Sequence, residues 1–210
     1  MATPVARALL AAVLVLALAG CSRPAGGPRP SPSPAALDPA RPLPSPVPDV
    51  VARVNGQPIR IHQILPMAKA ALDRLSIAER DARKPEVLRH ALQQYVDREL
   101  ILQEALARGI EADSREVDWA YDQLRREHAN DVAWKEFLAG QGMTPQSFRA
   151  ELRSQHTVAA LLHEELRQAP GGEAGAAGDA EGADEALRQA EVQQLLLARL
   201  RAKARIELFL

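Results

Sequence analysis

Apolar positions recur along this chain with two different periods, and the switch between them marks its elements. Val50 to Val54 and Gln57 to Ile61 are β-prone runs on either side of Asn55 and Gly56, a dipeptide that tolerates the positive φ angles of a type I′ turn. The pattern predicts a hairpin. Pro58 cannot donate a ladder hydrogen bond, so its position is expected at a sheet edge or a bulge. From His62 to Leu75 the period lengthens: Ile64, Leu65, Ala68, Ala71, Leu72 and Leu75 share one face and Pro66 falls near the first turn, which predicts a helix. A longer helix is expected to open at Pro85 and to stop before Gly109. Its apolar residues include Leu88, Leu92, Tyr95, Val96, Leu100, Ile101, Leu102, Ala105 and Leu106, a face too broad for a surface helix, so this one belongs at the centre of the core.

Asp113 or Ser114 is expected to cap a third helix, with Glu116 placed for a capping box and Val117, Ala120, Tyr121 and Leu124 inward. A short fourth helix should run from about Asp131 to Ala139, carrying Trp134, Phe137 and Leu138, and end at Gly140 and Gly142. Thr144 then caps and Pro145 opens a fifth, whose inner line of Phe148, Leu152, Ala159, Leu162 and Leu166 is broken only at Gln155. Ala186 to Lys203 reads as a sixth helix and Ala204 to Leu210 as a strand with Ile206 and Leu208 on one side. A lone terminal strand needs a partner, and the hairpin is the one available. The expected fold is therefore mainly α: a helical module whose small sheet joins an N-terminal β-hairpin to the C-terminal strand.

Outside residues 49 to 168 and 184 to 210 the periodicity fails. Residues 1 to 20 place Arg7 before an uninterrupted Ala/Leu/Val run from Ala8 to Leu18, the layout of a secretion signal, and that run is short for a bilayer span. Leu18, Ala19, Gly20 and Cys21 resemble the lipobox of bacterial lipoproteins. The resemblance implies that Cys21 becomes a lipidated N-terminus, and Ser22 after it resembles a signal for the outer membrane rather than the inner. Between Ser22 and Pro48 lie ten of the sixteen prolines, so residues 21 to 48 read as a tether. At about 3.1 Å per residue in polyproline II it reaches roughly 80 Å. A second break, residues 169 to 183, alternates Gly, Ala, Glu and Asp without an apolar anchor and reads as a solvated loop.

Composition narrows the chemistry. Cys21 is the only cysteine, so once it is lipidated no thiol remains for disulfides, metal ligation or nucleophilic attack. Twenty-six basic residues against 27 acidic ones suggest no nucleic-acid partner, which would normally demand a basic face, and none is expected. His62, His90, His128, His156 and His163 are scattered along the chain without metal-ligand spacing; His156 and His163, seven apart, could share a face of the fifth helix, but two ligands alone make a poor metal site, so neither a metal nor a cofactor is expected. Glu99 interrupts the apolar run of the second helix and is expected to bond a backbone group or Arg98. With no phosphate loop and no nucleophile elbow, the chain does not read as an enzyme.

Several stretches, in order, resemble the chaperone module of the SurA and PrsA-type foldase lipoproteins. They are Val51 to Gly56 (VARVNG), Asp97 to Ala105 (DRELILQEA), Gly109 and Ile110 before a capped helix, Met143 to Leu152 (MTPQSFRAEL), and the closing LRAKARIELFL. The resemblance implies binding of unfolded envelope or secreted polypeptides. Many members carry a parvulin-type prolyl isomerase domain between the fifth and closing helices. Here about fifteen Gly/Ala-rich residues occupy that place, too few for a catalytic domain. Adaptable apolar surface suits such a role, and Met67, Leu75, Trp134, Phe137 and Met143 are the candidate client-binding residues, although each also suits a core position. The expected protein is a lipid-anchored, ATP-independent holdase facing the periplasm, on the outer membrane before the inner. A second reading is an accessory lipoprotein of a secretion or polysaccharide-export assembly gripping one partner.

Overall fold

The computed structural model describes residues 42–169 and 181–210. The expected signal peptide, Cys21, the tether as far as residue 41 and most of the Gly/Ala stretch lie outside the described residues. Among these, β1 (Val50–Val54) and β2 (Gln57–Arg60) are followed by α1 (Ile61–Leu72), α2 (Ile77–Ala107), α3 (Ser114–Arg126), α4 (Asp131–Gly140), α5 (Pro145–Gln168), α6 (Glu181–Lys203) and β3 (Ile206–Leu208).

Asn55 and Gly56 turn the hairpin with φ of 51° and 87°, as a type I′ turn requires. Strand order is β2-β1-β3 with both pairings antiparallel, so the two ends of the module meet in one sheet, as the lone terminal strand demanded. Pro58 sits opposite Arg53 on the edge strand β2. Asn55 fastens the closure: its backbone N–H donates to the Arg205 carbonyl at 2.8 Å, and its side-chain oxygen accepts the Arg205 N–H at 2.9 Å.

α2 runs through the centre of the body. Leu88, Ala91, Leu92, Tyr95, Val96, Leu100, Ile101 and Ala105 are buried against Val51, Val54 and Ile59 of the hairpin, Ile64 and Ala68 of α1, Leu161 of α5, and Leu196 and Leu200 of α6. Its start differs from expectation. The helix opens at Ile77, not Pro85, because the Ser76 N–H donates to the Glu79 carboxylate at 3.1 Å and closes the first turn. Leu88 is its first buried residue, so the preceding turns carry no apolar period to reveal them. Pro85 is tolerated inside, at the loss of one backbone bond. α1 in turn stops at Leu72 instead of Leu75, since the chain must reverse before Ser76.

The remaining boundaries follow local chemistry. Asp113 caps α3 by accepting the Arg115 N–H at 2.8 Å, whereas Glu116 lies in the first turn without forming the expected capping box. Asn130 caps α4 with 3.0 Å bonds from Val132 and Ala133, and Thr144 caps α5 ahead of Pro145. α6 begins at Glu181 rather than Ala186, taking the last part of the Gly/Ala stretch into the helix, where Ala and Glu are strong formers. The inner line of α5 also differs: Ala159 is exposed, and Leu152, Thr157 and Leu161 are buried. This helix serves two cores, so its inward face shifts along its length.

Candidate functional site

The second core is small and aromatic. Val117 and Tyr121 of α3, Trp134 and Leu138 of α4, and Leu152 of α5 form it, with Ala112, Leu124, Met143 and Phe148 packed around them. Trp119, Tyr121, Trp134, Phe137 and Phe148, five of the chain's seven aromatic residues, fall on these three helices. The caps explain why the rings converge. Asn130 fixes the start of α4, and Gly142, at φ 68°, reverses the chain after it so that the Met143 N–H reaches the Leu138 carbonyl at 2.9 Å. α4 is thereby pinned at both ends across α5.

Inside the lobe the Trp134 Nε1–H donates to Tyr121 Oη at 3.1 Å, satisfying the indole donor away from water. The two rings meet edge to face at 5.5 Å. Phe137 stacks on Trp134 at 5.5 Å with 19° between planes, and Phe148 presents an edge to both. His128, in the α3–α4 connection, lies 4.6 Å from Phe137 and 5.1 Å from Trp134 between ring centres. The Arg149 guanidinium lies 3.9 Å over the Tyr121 ring. Trp134 is only 3% exposed, yet Phe137, stacked on it, is 37% exposed. The cluster is therefore covered on its inner side and open at Phe137.

The candidate residues thus separate. Trp134, Phe137 and Met143 come together in the lobe, with Trp134 a core residue and Met143 half-buried. Met67 packs against the main core, and Leu75 lies half-buried in the α1–α2 turn. α1 packs on α2 and β2 while α4 packs on α5, so Met67 and the three lobe residues belong to different cores. His128 and Phe148 were not among the candidates. Their signal was the concentration of aromatic residues between Trp119 and Phe148.

Polar contacts weld lobe to body. Arg98 of α2 forks onto Glu151 of α5, with Nη2 to Oε2 at 2.8 Å, and the buried Thr157 hydroxyl accepts the Ala112 N–H at 3.1 Å. Burial pushes the Glu151 carboxyl up, but the hydrogen bonds and charge of Arg98 outweigh it and hold the group below its ordinary value. Asp97, one residue earlier on α2, goes the other way: burial lifts it despite the three bonds that Arg201 of α6 makes to it. Glu99 bonds neither Arg98 nor backbone. It accepts from Gln103 at 2.8 Å, and Gln103 also donates to the Val54 carbonyl. A cleft of about 290 Å³ between the hairpin turn, α2 and the end of α6 is lined partly by these same satisfied groups, Asn55 and Gln103.

Among the described residues no helix is long and apolar enough to cross a membrane. The family model of the SurA-like N-terminal domain matches residues 7–162. The chain belongs to this family. SurA-like N-terminal domains are chaperone-type, non-catalytic modules typical of the periplasm, and the chain carries such a module. The match ends within α5, so α6 and β3, which close the body in space, lie beyond the matched range. Comparison with curated proteins finds no match.

Proposed function

We propose that this SurA-like module is an ATP-independent holdase that binds apolar stretches of unfolded envelope or secreted polypeptides, anchored to the envelope membrane through lipid on Cys21. One observation carries the reading: Phe137 stays open to water while stacked on Trp134, itself buried and hydrogen-bonded to Tyr121. An aromatic ring held in place from behind presents apolar surface at little entropic cost, and half-buried Met143 beside the cluster adapts to varied side chains. The near balance of basic and acidic residues supplies no net attraction to phosphate backbones, which favours polypeptide partners over nucleic acid. Residues 21 to 48 act as the tether in this reading, and the outer membrane is the preferred anchor site.

The test is aggregation of several unrelated, chemically unfolded proteins, followed by light scattering with the purified protein at equal molar ratio. Slower aggregation of most of them is expected without nucleotide. No effect on any of them refutes the holdase, and an effect on a single partner favours the accessory-lipoprotein reading. Membrane fractionation tests the anchor: Cys21→Ala is expected to appear in the soluble fraction.

A further inference from the structure

The two edges of the three-stranded sheet are built differently. A two-residue turn makes Val54 and Gln57 a hydrogen-bonded pair, and pairs then alternate along an antiparallel ladder. The β2 residues that direct N–H and C=O away from β1 are therefore Pro58 and Arg60. Pro58 has no N–H, and the Arg60 N–H is already given to Gln63 Oε1 at 2.7 Å. That edge offers no free donor, the usual way in which folded proteins protect an edge. On the other side, the Arg205 carbonyl accepts from Asn55 and the Phe209 N–H donates to Val51, so residues 205, 207 and 209 face β1. Ile206 and Leu208 then direct their N–H and C=O outward. Among the described residues nothing hydrogen-bonds these four groups.

We infer that the outer edge of β3 accepts an extended segment of a non-native polypeptide as a fourth strand. The inference rests on the holding function proposed above and adds to it a mode of recognition. Main-chain hydrogen bonds read no side chains, which suits partners of unrelated sequence. A second copy of this chain fits poorly. Self-pairing that satisfies all the outward groups sets Ile206 against Leu208 and places two Glu207 carboxylates directly opposite each other, each countered only by its own exposed Arg205, an arrangement that is destabilising. A foreign strand meets no such clash and can place a basic residue against Glu207. The 42%-exposed Phe209 on the same face favours an apolar residue two positions away from that base. The docked segment is extended and carries alternating apolar and basic or polar residues.

The probe is an acetylated nonapeptide of alternating Val and Thr with a central Lys, compared with a twin methylated on every central backbone nitrogen. The expected result is binding of the parent with slowed amide exchange at Ile206 and Leu208 and unchanged exchange at Arg60, and binding of the twin weaker by about tenfold or more. Leu208→Pro, which removes one outward N–H, should weaken the parent while the melting curve stays cooperative. If that variant does not fold, the methylated twin alone decides. Equal binding of the twin overturns the inference. So does protection confined to residues around Phe137, an outcome that leaves the holdase reading intact. Protection of Ile206 and Leu208 that grows with protein concentration in the absence of peptide also overturns it, in favour of self-pairing. Absence of both peptide binding and aggregation suppression removes the holding function and the edge together.

Discussion

In the body, aliphatic side chains from segments as much as 150 residues apart close around α2; in the lobe, a few aromatic rings from three successive helices pack on one another. The body is enclosed by strand pairing and Asn55–Arg205 hydrogen bonds that tie its last residues to its first, and by ion pairs from α6 to α2 and α5. The lobe reaches stability with few side chains because each ring buries a large area and pairs favourably with its neighbours. It has too few elements to cover every ring. A small core built from large side chains leaves an apolar surface at its rim, and Phe137 is that surface.

The largest effects are expected from the two cores and differ in reach. Leu92→Ala in the body should cost about 3 kcal/mol, lowering the midpoint of the whole denaturant transition and speeding amide exchange in every element. Trp134→Ala should cost a similar amount, also about 3 kcal/mol, but with faster exchange confined to α3, α4 and the start of α5. Global loss of protection in Trp134→Ala would erase the distinction between the regions.

A smaller effect is expected at the junction. Glu151→Gln leaves Arg98 mostly buried without its counter-charge and should cost about 2 kcal/mol, less than a fully buried pair because roughly a fifth of each side chain remains wet. The Glu151 carboxyl is held low in the folded state, so its contribution is complete above the ordinary Glu value and is lost as pH falls through the native one. Stability measured from neutral to about pH 3 should therefore fall less steeply in Glu151→Gln than in the wild type. Parallel curves would mean that the pair does not join the regions energetically.

Smallest in stability, and sharpest for the comparison, is Phe137→Ala. It should cost only about 1 kcal/mol, mostly the lost stacking on Trp134, while reducing suppression of aggregation severalfold. Unchanged suppression would make the open ring an incidental feature of a small core.

Much of the fold was legible in the sequence. The Asn55–Gly56 turn, the caps at Asp113 and Thr144, the central place of α2 and the return of the terminal strand to the hairpin each follow from residue types at fixed offsets, whereas the Asn130 cap of α4 came only from the structure. The start of α2 was not legible, because its first turns bury no side chain and a solvated helical stretch leaves no apolar period. The candidate site was half legible: Trp134, Phe137 and Met143 do gather, whereas Met67 packs against the other core and Leu75 lies in the α1–α2 turn, and the ring of His128 was overlooked.

By itself the amino-acid sequence determined which elements form and which of their faces are apolar, since propensity, capping and periodicity act over one or two turns. Only the tertiary structure decided that Trp134 is sealed while Phe137, three residues on, is open, and that one edge of the sheet is closed by Pro58 and Gln63 while the other keeps its donors free. An apolar pattern records that a side chain prefers cover. Whether cover arrives depends on segments far away in the chain.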